Sequence, residues 1–235
     1  MRKPVIDPVI APVTQPDAAQ LEKISRRFSG RWLQGYVRGK LKSDPLYAAV
    51  AAEIVAHPAP VLDVGCGIGL FAHYLRAAGC DAGYLGIDLD AHKIQLAQRA
   101  AQGSHGIRFE HASCETLPAW HGHVVILDTL HYLAADTQHE LLRAAAARIA
   151  PGAALIVRSV LHDASWRFGI TRLEEGFMRS IRWMRYRVQH YPGFDELETP
   201  LSAAGLTVEI QPLWGRTPFN SYLIVARRPV TANGK

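Results

Sequence analysis

The chain has 235 residues, 49% hydrophobic and 20% charged, the profile of an ordinary globular protein with material for one large core. Its longest apolar runs, Val61–Val64 and Val124–Leu127, are strand-sized. None approaches the ~20 residues of a membrane-spanning helix, which excludes an integral helical membrane protein. A net charge of +5 admits an acidic partner without requiring one.

Arg2 and Lys3 open the chain as a signal peptide would, but Asp7 and the prolines that follow leave no apolar stretch, so secretion by that route is not expected. Pro4, Pro8, Pro12 and Pro16 rule out helix or central strand, and residues 1–16 read as a mobile arm. Residues 17–55 read as N-terminal helices, broken at Gly30, Gly35 and Gly39 and restarted at Ser43-Asp44-Pro45. Strands then alternate with helices: Val61–Val64, helix Leu70–Ala78, Tyr84–Ile87, helix Ala91–Ala101, Ile107–Glu110, Val124–Leu127, helix Asp136–Ile149 and Ala154–Ser159. Continuous apolar strands between helices predict an α/β, doubly wound, mostly parallel sheet covered on both faces. The last two strands, Thr207–Gln211 and Ser221–Ala226, are joined by only the stretch from Pro212 to Asn220. That is too short for a parallel crossover and predicts a C-terminal antiparallel hairpin, seven strands in all. Residues 17–235 thus read as a single domain. The long stretch before the hairpin reads as an inserted helical lid over residues 161–200.

Three cysteines, Cys66, Cys80 and Cys114, have no CxxC spacing, which argues against a disulfide framework or a cysteine zinc site and for a reducing, cytoplasmic setting. His121, His123, His131 and His139 do not combine with nearby Cys or carboxylates into a ligand spacing, so no metal is expected.

The run Val61-Leu62-Asp63-Val64-Gly65-Cys66-Gly67-Ile68-Gly69-Leu70 is a strand entering a GxGxG turn and then a helix. Glycines there let the backbone approach a ligand closely. About 20 residues on, Asp88 ends the second strand, where a carboxylate can accept both hydroxyls of a ribose.

With these motifs the chain resembles the class I S-adenosylmethionine-dependent methyltransferases over residues 35–228, which implies a Rossmann-like methyltransferase fold and S-adenosylmethionine as cofactor. The resemblance implies that Asp63, Gly65, Cys66, Gly67 and Gly69 form the cofactor loop, with Asp88 on the ribose and Leu89 beside the adenine. Phe109–Pro118 resembles the third motif, with Ser113 where the family often has Asp, and Cys114 next to it. Val124–Leu133 resembles the fourth, which sets Leu127 and Asp128 at the edge of the cofactor pocket. Tyr36-Val37-Arg38-Gly39-Lys40, Asp44-Pro45-Leu46-Tyr47 and Thr217–Asn220 are similar to the methyltransferases of bacterial aryl-polyene and related pigment clusters, whose intermediates ride on acyl carrier proteins.

Methyl transfer from a sulfonium is an in-line displacement with a neutral leaving group, so positioning and desolvation carry most of it. A hydroxyl acceptor also profits from a base. His131, after the fourth strand, is the candidate, with Tyr132 lining the acceptor site. Family members often hold the cofactor carboxylate from an N-terminal helix, and Tyr36 and Arg38 are chosen for that contact. In the insertion, Phe177, Ile181, Met184 and Val188 repeat at helical spacing, arginines fill much of the remaining circumference, and Trp166 and Trp183 suit an apolar or aromatic acceptor. The leading function is methylation of a small or carrier-bound intermediate at oxygen or carbon. Arginines among aromatics also suit RNA, although Asp128-Thr129-Leu130-His131 lacks the proline pair of base-amine methyltransferases. A non-catalytic cofactor-binding protein is the third reading.

Overall fold

The computed structural model describes residues 15–163, 165–169, 187–214 and 220–229. Helix α1 (Ala18–Ser25) starts at Asp17, whose carboxylate accepts the Gln20 N–H at 2.8 Å while the Gln20 amide oxygen accepts the Asp17 N–H. Gly30, at φ 92°, ends that segment and α2 (Arg31–Ser43) begins. Gly35 and Gly39 do not break α2, contrary to the sequence expectation. Val37 and Leu41, buried one turn apart, anchor that helix in the core and offset the helix-weakening glycines. Asp44 accepts the Leu46 N–H at 3.0 Å and starts α3 (Leu46–Ala56).

The remaining elements are β1 (Val61–Val64), α4 (Leu70–Ala77), β2 (Tyr84–Asp88), α5 (Ala91–Ala100), β3 (Ile107–His111), β4 (His123–Leu127), a 3-10 turn (Leu130–Tyr132), α6 (Ala135–Ala146), β5 (Ala154–Val160), α7 (Phe194–Ala203), β6 (Thr207–Pro212) and β7 (Ser221–Arg227). The strands form one sheet in the order β3-β2-β1-β4-β5-β7-β6. Strands β1 to β5 pair in parallel, and β7 runs antiparallel between β5 and β6. This is the expected doubly wound sheet with its hairpin.

Alternate residues of each inner strand enter different cores. Val61, Val125 and Ile156 face α1 to α5, whereas Leu62, Val64, Val124, Ile126 and Leu155 face α6 and α7. The chain winds outward from β1 through β2 to β3 and then returns to place β4 on the other flank of β1. Between β1 and β4 the loops therefore leave in opposite directions, and a crevice opens at the strands' carboxyl ends.

Helix α7 falls partly within the span expected to be a lid. It buries Leu197 and Leu201 in the second core, and so, among the described residues, it is a covering helix between β5 and β6. The Glu196 carboxylate accepts the Gly193 N–H at 2.7 Å and caps it. Pro200 inside the helix masked it in the sequence. Residues 1–14 of the arm and most of the insertion (170–186), including Phe177 and Trp183, lie outside the described residues, as do Thr217, Pro218 and Phe219.

His123 is the hinge pin of this layout. One ring nitrogen bonds to the His57 carbonyl at 2.7 Å, and the other accepts the Ala154 N–H at 3.0 Å, joining the end of α3 to the start of β5. The ring is fully buried, and burial lowers its pKa, so it works as a neutral link. His123→Leu keeps the volume and leaves both backbone groups unpaired. It should lower the unfolding free energy by about 2–4 kcal/mol in urea titration, with the fold otherwise kept.

Candidate functional site

The glycine loop opens directly off β1. Gly65 and Cys66 both donate their N–H to the Ile87 carbonyl, at 2.8 and 3.0 Å, which bends the chain across the end of β2. Gly65, Gly67 and Gly69 have φ of 78°, 57° and 79°, in the region L side chains avoid. Space is also absent at two of them. A Cβ on Gly65 would stand 2.1 Å from Thr129 Oγ1, and one on Gly69 would stand 2.4 Å from the Phe109 ring. Around Gly67 there is open room, so the loop's tip is free on its outer side. Its N–H donates to Asp88 Oδ2 at 2.8 Å, while Asp88 Oδ1 accepts the Asp90 N–H at 2.8 Å. Each oxygen of the Asp88 carboxylate keeps a further lone pair for another donor.

Beneath the loop, Asp63 on β1 is buried. The Tyr84 hydroxyl donates to its Oδ2, and its Oδ1 has no hydrogen-bond partner. Burial raises its pKa to about 7 despite that bond.

Across the crevice, β4 ends at Leu127 and the next residue, Asp128, takes φ 56°, the only positive value outside glycine among the described residues. Its N–H donates to the Arg158 carbonyl at 3.0 Å, and its Oδ2 is paired with Arg158 Nη1. Lys40 Nζ is 3.9 Å from the same oxygen and 3.2 Å from Asp44 Oδ2, and Arg158 Nη1 is 3.8 Å from Asp44. Two cations and two anions thus tie α2 and the start of α3 to the ends of β4 and β5. Burial would raise the Asp128 pKa, but Arg158 and Lys40 outweigh it and lower the pKa.

His131, in the 3-10 turn, is buried with its ring 4.3 Å from Tyr132 and stacked on Tyr191 at 6.2 Å. Its carbonyl accepts the Gln189 N–H at 3.0 Å. Tyr191 in turn meets Phe168 at 5.1 Å, and Phe168 meets His162 at 5.0 Å. A row of rings therefore runs from the end of β4 to the segment after β5. Burial pushes the His131 pKa down to about 4, with Asp128 opposing and Arg158 adding to the effect. The near-neutral titration expected from its residue type is thereby corrected.

The structure sorts the other sequence candidates. Tyr36 stacks on Trp32 and packs against the first core, one helical turn before Lys40 and on the same face. Arg38 is corrected: it lies about 200° around α2 from Tyr36 and pairs outward with Glu22 at 2.8 Å, its side chain half exposed. Lys40 is the cation that α2 presents to the crevice. Leu89 is 56% exposed just past Asp88, an apolar platform at the mouth. Ser113 is half-buried and its Oγ accepts the Glu115 N–H at 3.2 Å. Cys66 turns its thiol into the first core, and burial raises the pKa of both Cys66 and Cys114. Trp166 is exposed, with the Arg167 guanidinium between it and Trp214, 4.9 and 4.5 Å from the two rings. Sequence reasoning overlooked Arg158. An arginine directly after the apolar run Ala154–Val157, inside the same strand, was the signal available.

These buried groups set the acid response. Between pH 4 and 6.5 the unfolded chain binds protons at His73 and His131 that the folded chain, with both lowered to about 4, refuses. Stability therefore rises with pH in that window. Asp63, raised from 3.8 to about 7, acts oppositely, its folded-state proton being lost as pH rises. Urea midpoints from pH 4 to 8 should accordingly show Asp63→Asn gaining on the unsubstituted protein by on the order of 3 kcal/mol as pH rises. A constant difference would mean that Asp63 is ionised throughout.

Residues 61–152 match the family model described as a methyltransferase domain. A search of curated proteins finds no match. Among solved structures, magnesium protoporphyrin IX methyltransferase from Synechocystis PCC 6803 with bound S-adenosylhomocysteine is similar at 19% identity, with 90% of this chain and 94% of that one covered and a TM-score of 0.63. Mitomycin 7-O-methyltransferase is similar at 20% identity, covering 91% and 61%, with a TM-score of 0.62. The 4+2 cyclase SpnF is similar at 20% identity, covering 80% and 82%, with a TM-score of 0.59. At these identities the structural likeness establishes the fold, and the domain match carries the chemistry. By that match on this fold, residues 61–152 form a methyltransferase domain, with S-adenosylmethionine as its cofactor.

Proposed function

We propose that the enzyme methylates a small apolar or aromatic biosynthetic intermediate, free or bound to an acyl carrier protein, at oxygen or carbon. The observation that carries this reading is the row of rings from Tyr132 and His131 through Tyr191 to Phe168, beside Asp128 at the crevice. Aromatic walls exclude water and favour planar or apolar acceptors. The neighbouring structures include a mitomycin methyltransferase and an enzyme of echinomycin biosynthesis, which supports a place in secondary metabolism. No helix among the described residues is long and apolar enough to cross a membrane, and the free cysteines suit a cytoplasmic setting.

The residues fit the cofactor. Loop glycines leave backbone exposed at the tip, Asp63 Oδ1 is an orphaned buried acceptor, and Asp88 has lone pairs to spare. Asp88 is the choice for the ribose hydroxyls, with Leu89, Ser113 and Cys114 toward the adenine. Asp128 and Lys40, with Tyr36 and Leu127 beside them, take the amino-acid end. When bound, the cofactor supplies an electrophilic methyl group on a sulfonium. The chain's part is to orient the acceptor, exclude water and remove a proton where the acceptor is a hydroxyl. His131, neutral through burial, is the group proposed to take that proton, with Tyr132 lining the same side. Residues 161–193, with Trp166 and Trp183, are proposed as the lid over the acceptor.

Thermal shift tests the cofactor assignment. S-adenosylhomocysteine at ~100 times its dissociation constant should stabilise the protein by ~2.7 kcal/mol, and NAD should not. Asp88→Ala should lose most of that gain, and an undiminished gain would remove Asp88 from the ribose.

His131→Ala should lower turnover ~10²-fold with S-adenosylhomocysteine affinity kept. Because the imidazole titrates near pH 4, kcat should stay flat from pH 8 to about 5 and fall only below. An unchanged rate in the variant would point to a carbon or already ionised acceptor. Methyl incorporation into small phenolic and carrier-bound acceptors, compared with total RNA, tests the substrate class. Label confined to RNA would overturn the small-molecule reading.

A further inference from the structure

We infer that Arg158 is a positioning residue for methyl transfer, holding the Asp128 carboxylate beside the Lys40 ammonium so that the two together receive a zwitterionic amino-acid end. The inference rests on the reading that the cofactor's methionyl group lies at this end of the crevice.

Three observations carry it. First, Arg158 grips Asp128 from both sides of its own structure. Its carbonyl accepts the Asp128 N–H at 3.0 Å and its guanidinium pairs with the Asp128 carboxylate. Main chain and side chain together thus hold a residue at φ 56°. Second, the members of the cluster differ in exposure. Arg158 and Asp44 keep only 11% and 13% of their side-chain surface, while Lys40 and Asp128 keep 29% and 31%. The inner pair is support and the outer pair faces solvent. The outer charges, opposite in sign and 3.9 Å apart, match the ammonium and carboxylate that an α-amino acid carries on one carbon.

Third, stability alone does not explain an arginine here. β5 is buried along its whole length, and a buried ion pair is often no better than an apolar replacement of similar size. Arg158 Nε, moreover, is buried with no hydrogen-bond partner, a further penalty that a purely structural residue has no reason to bear. A local rule broken inside an otherwise consistent strand marks a functional position.

The test separates the two halves of the ligand. S-adenosylhomocysteine carries the amino-acid end, and 5′-methylthioadenosine has the same nucleoside without it. Titration calorimetry of both ligands should be run on the full chain and on Arg158→Met, Arg158→Lys and Lys40→Met. Arg158→Met should weaken S-adenosylhomocysteine about 10-fold or more and leave methylthioadenosine within about twofold. Arg158→Lys should recover part of the loss. Lys40→Met, at a partly exposed site, should show the same ligand-selective loss and stands in if Arg158→Met does not fold. Equal weakening of both ligands, or none, would reduce Arg158 to a structural residue and overturn the inference. Failure of the unsubstituted protein to bind either ligand would overturn the cofactor placement on which it rests.

Discussion

At Gly65 and Gly69 the glycine loop has no clearance, and the geometry of the crevice follows from that. A methyl at Gly65 would meet Thr129 from the segment after β4, and one at Gly69 or Gly86 would meet the Phe109 ring on β3. Gly86 also faces Cys66 Sγ, 2.8 Å from where its Cβ would be. Four strands therefore close on one turn of chain, each supplying an atom where another lacks one. That packing brings the Gly67 N–H onto the Asp88 carboxylate and sets the ends of β1, β2 and β4 side by side. Preorganisation of this kind lowers the ordering needed when a ligand arrives.

The crevice also concentrates charge in an otherwise apolar interior. Asp63 on one side and Arg158 on the other are buried at the carboxyl ends of the strands, and Asp44, Lys40 and Asp128 extend the second group outward toward solvent. His131 lies beside the cluster and stays neutral because its surroundings disfavour a third cation. Such a site binds a partly charged ligand best when its groups already have their protonation states: Arg158 and Lys40 keep Asp128 ionised, and burial keeps His131 neutral. The proposed site thus lies where the fold is least economical in stability.

The sheet was legible because β1, β2, β4 and β5 are buried on both faces, so each is a short, mainly apolar run between turn residues. The hairpin was legible because nine residues cannot carry a parallel crossover. Helix α2 was less so: Gly35 and Gly39 weaken it locally, and tertiary contacts of Val37 and Leu41 override them. Helix α7 was hidden by Pro200 and by the long segment before it, whose composition suggested one continuous lid. In the site, Gly65–Gly69 and Asp88 stood out through contiguous spacing that the fold preserves. Arginine chemistry favours Arg38 as the carboxylate partner, but the helical phase turns Arg38 and Lys40 in different directions. Asp44 and Arg158 are 114 residues apart and meet only through the sheet, so no local pattern announces them.

The position of β7 has a consequence for how the protein is made. Synthesis runs from the N-terminus, and domains begin to organise as they emerge. β5 and β6 are both complete before β7 exists, yet β7 is the strand that pairs with each of them. Until Ser221–Arg227 leaves the ribosome, β5 presents an open edge and β6 has no partner strand. Both cores lack the side chains of Leu223, Ile224 and Val225. The nascent chain is therefore most exposed to mispairing and chaperone capture in the interval between β6 and β7, after the glycine loop and its carboxylate have already been made.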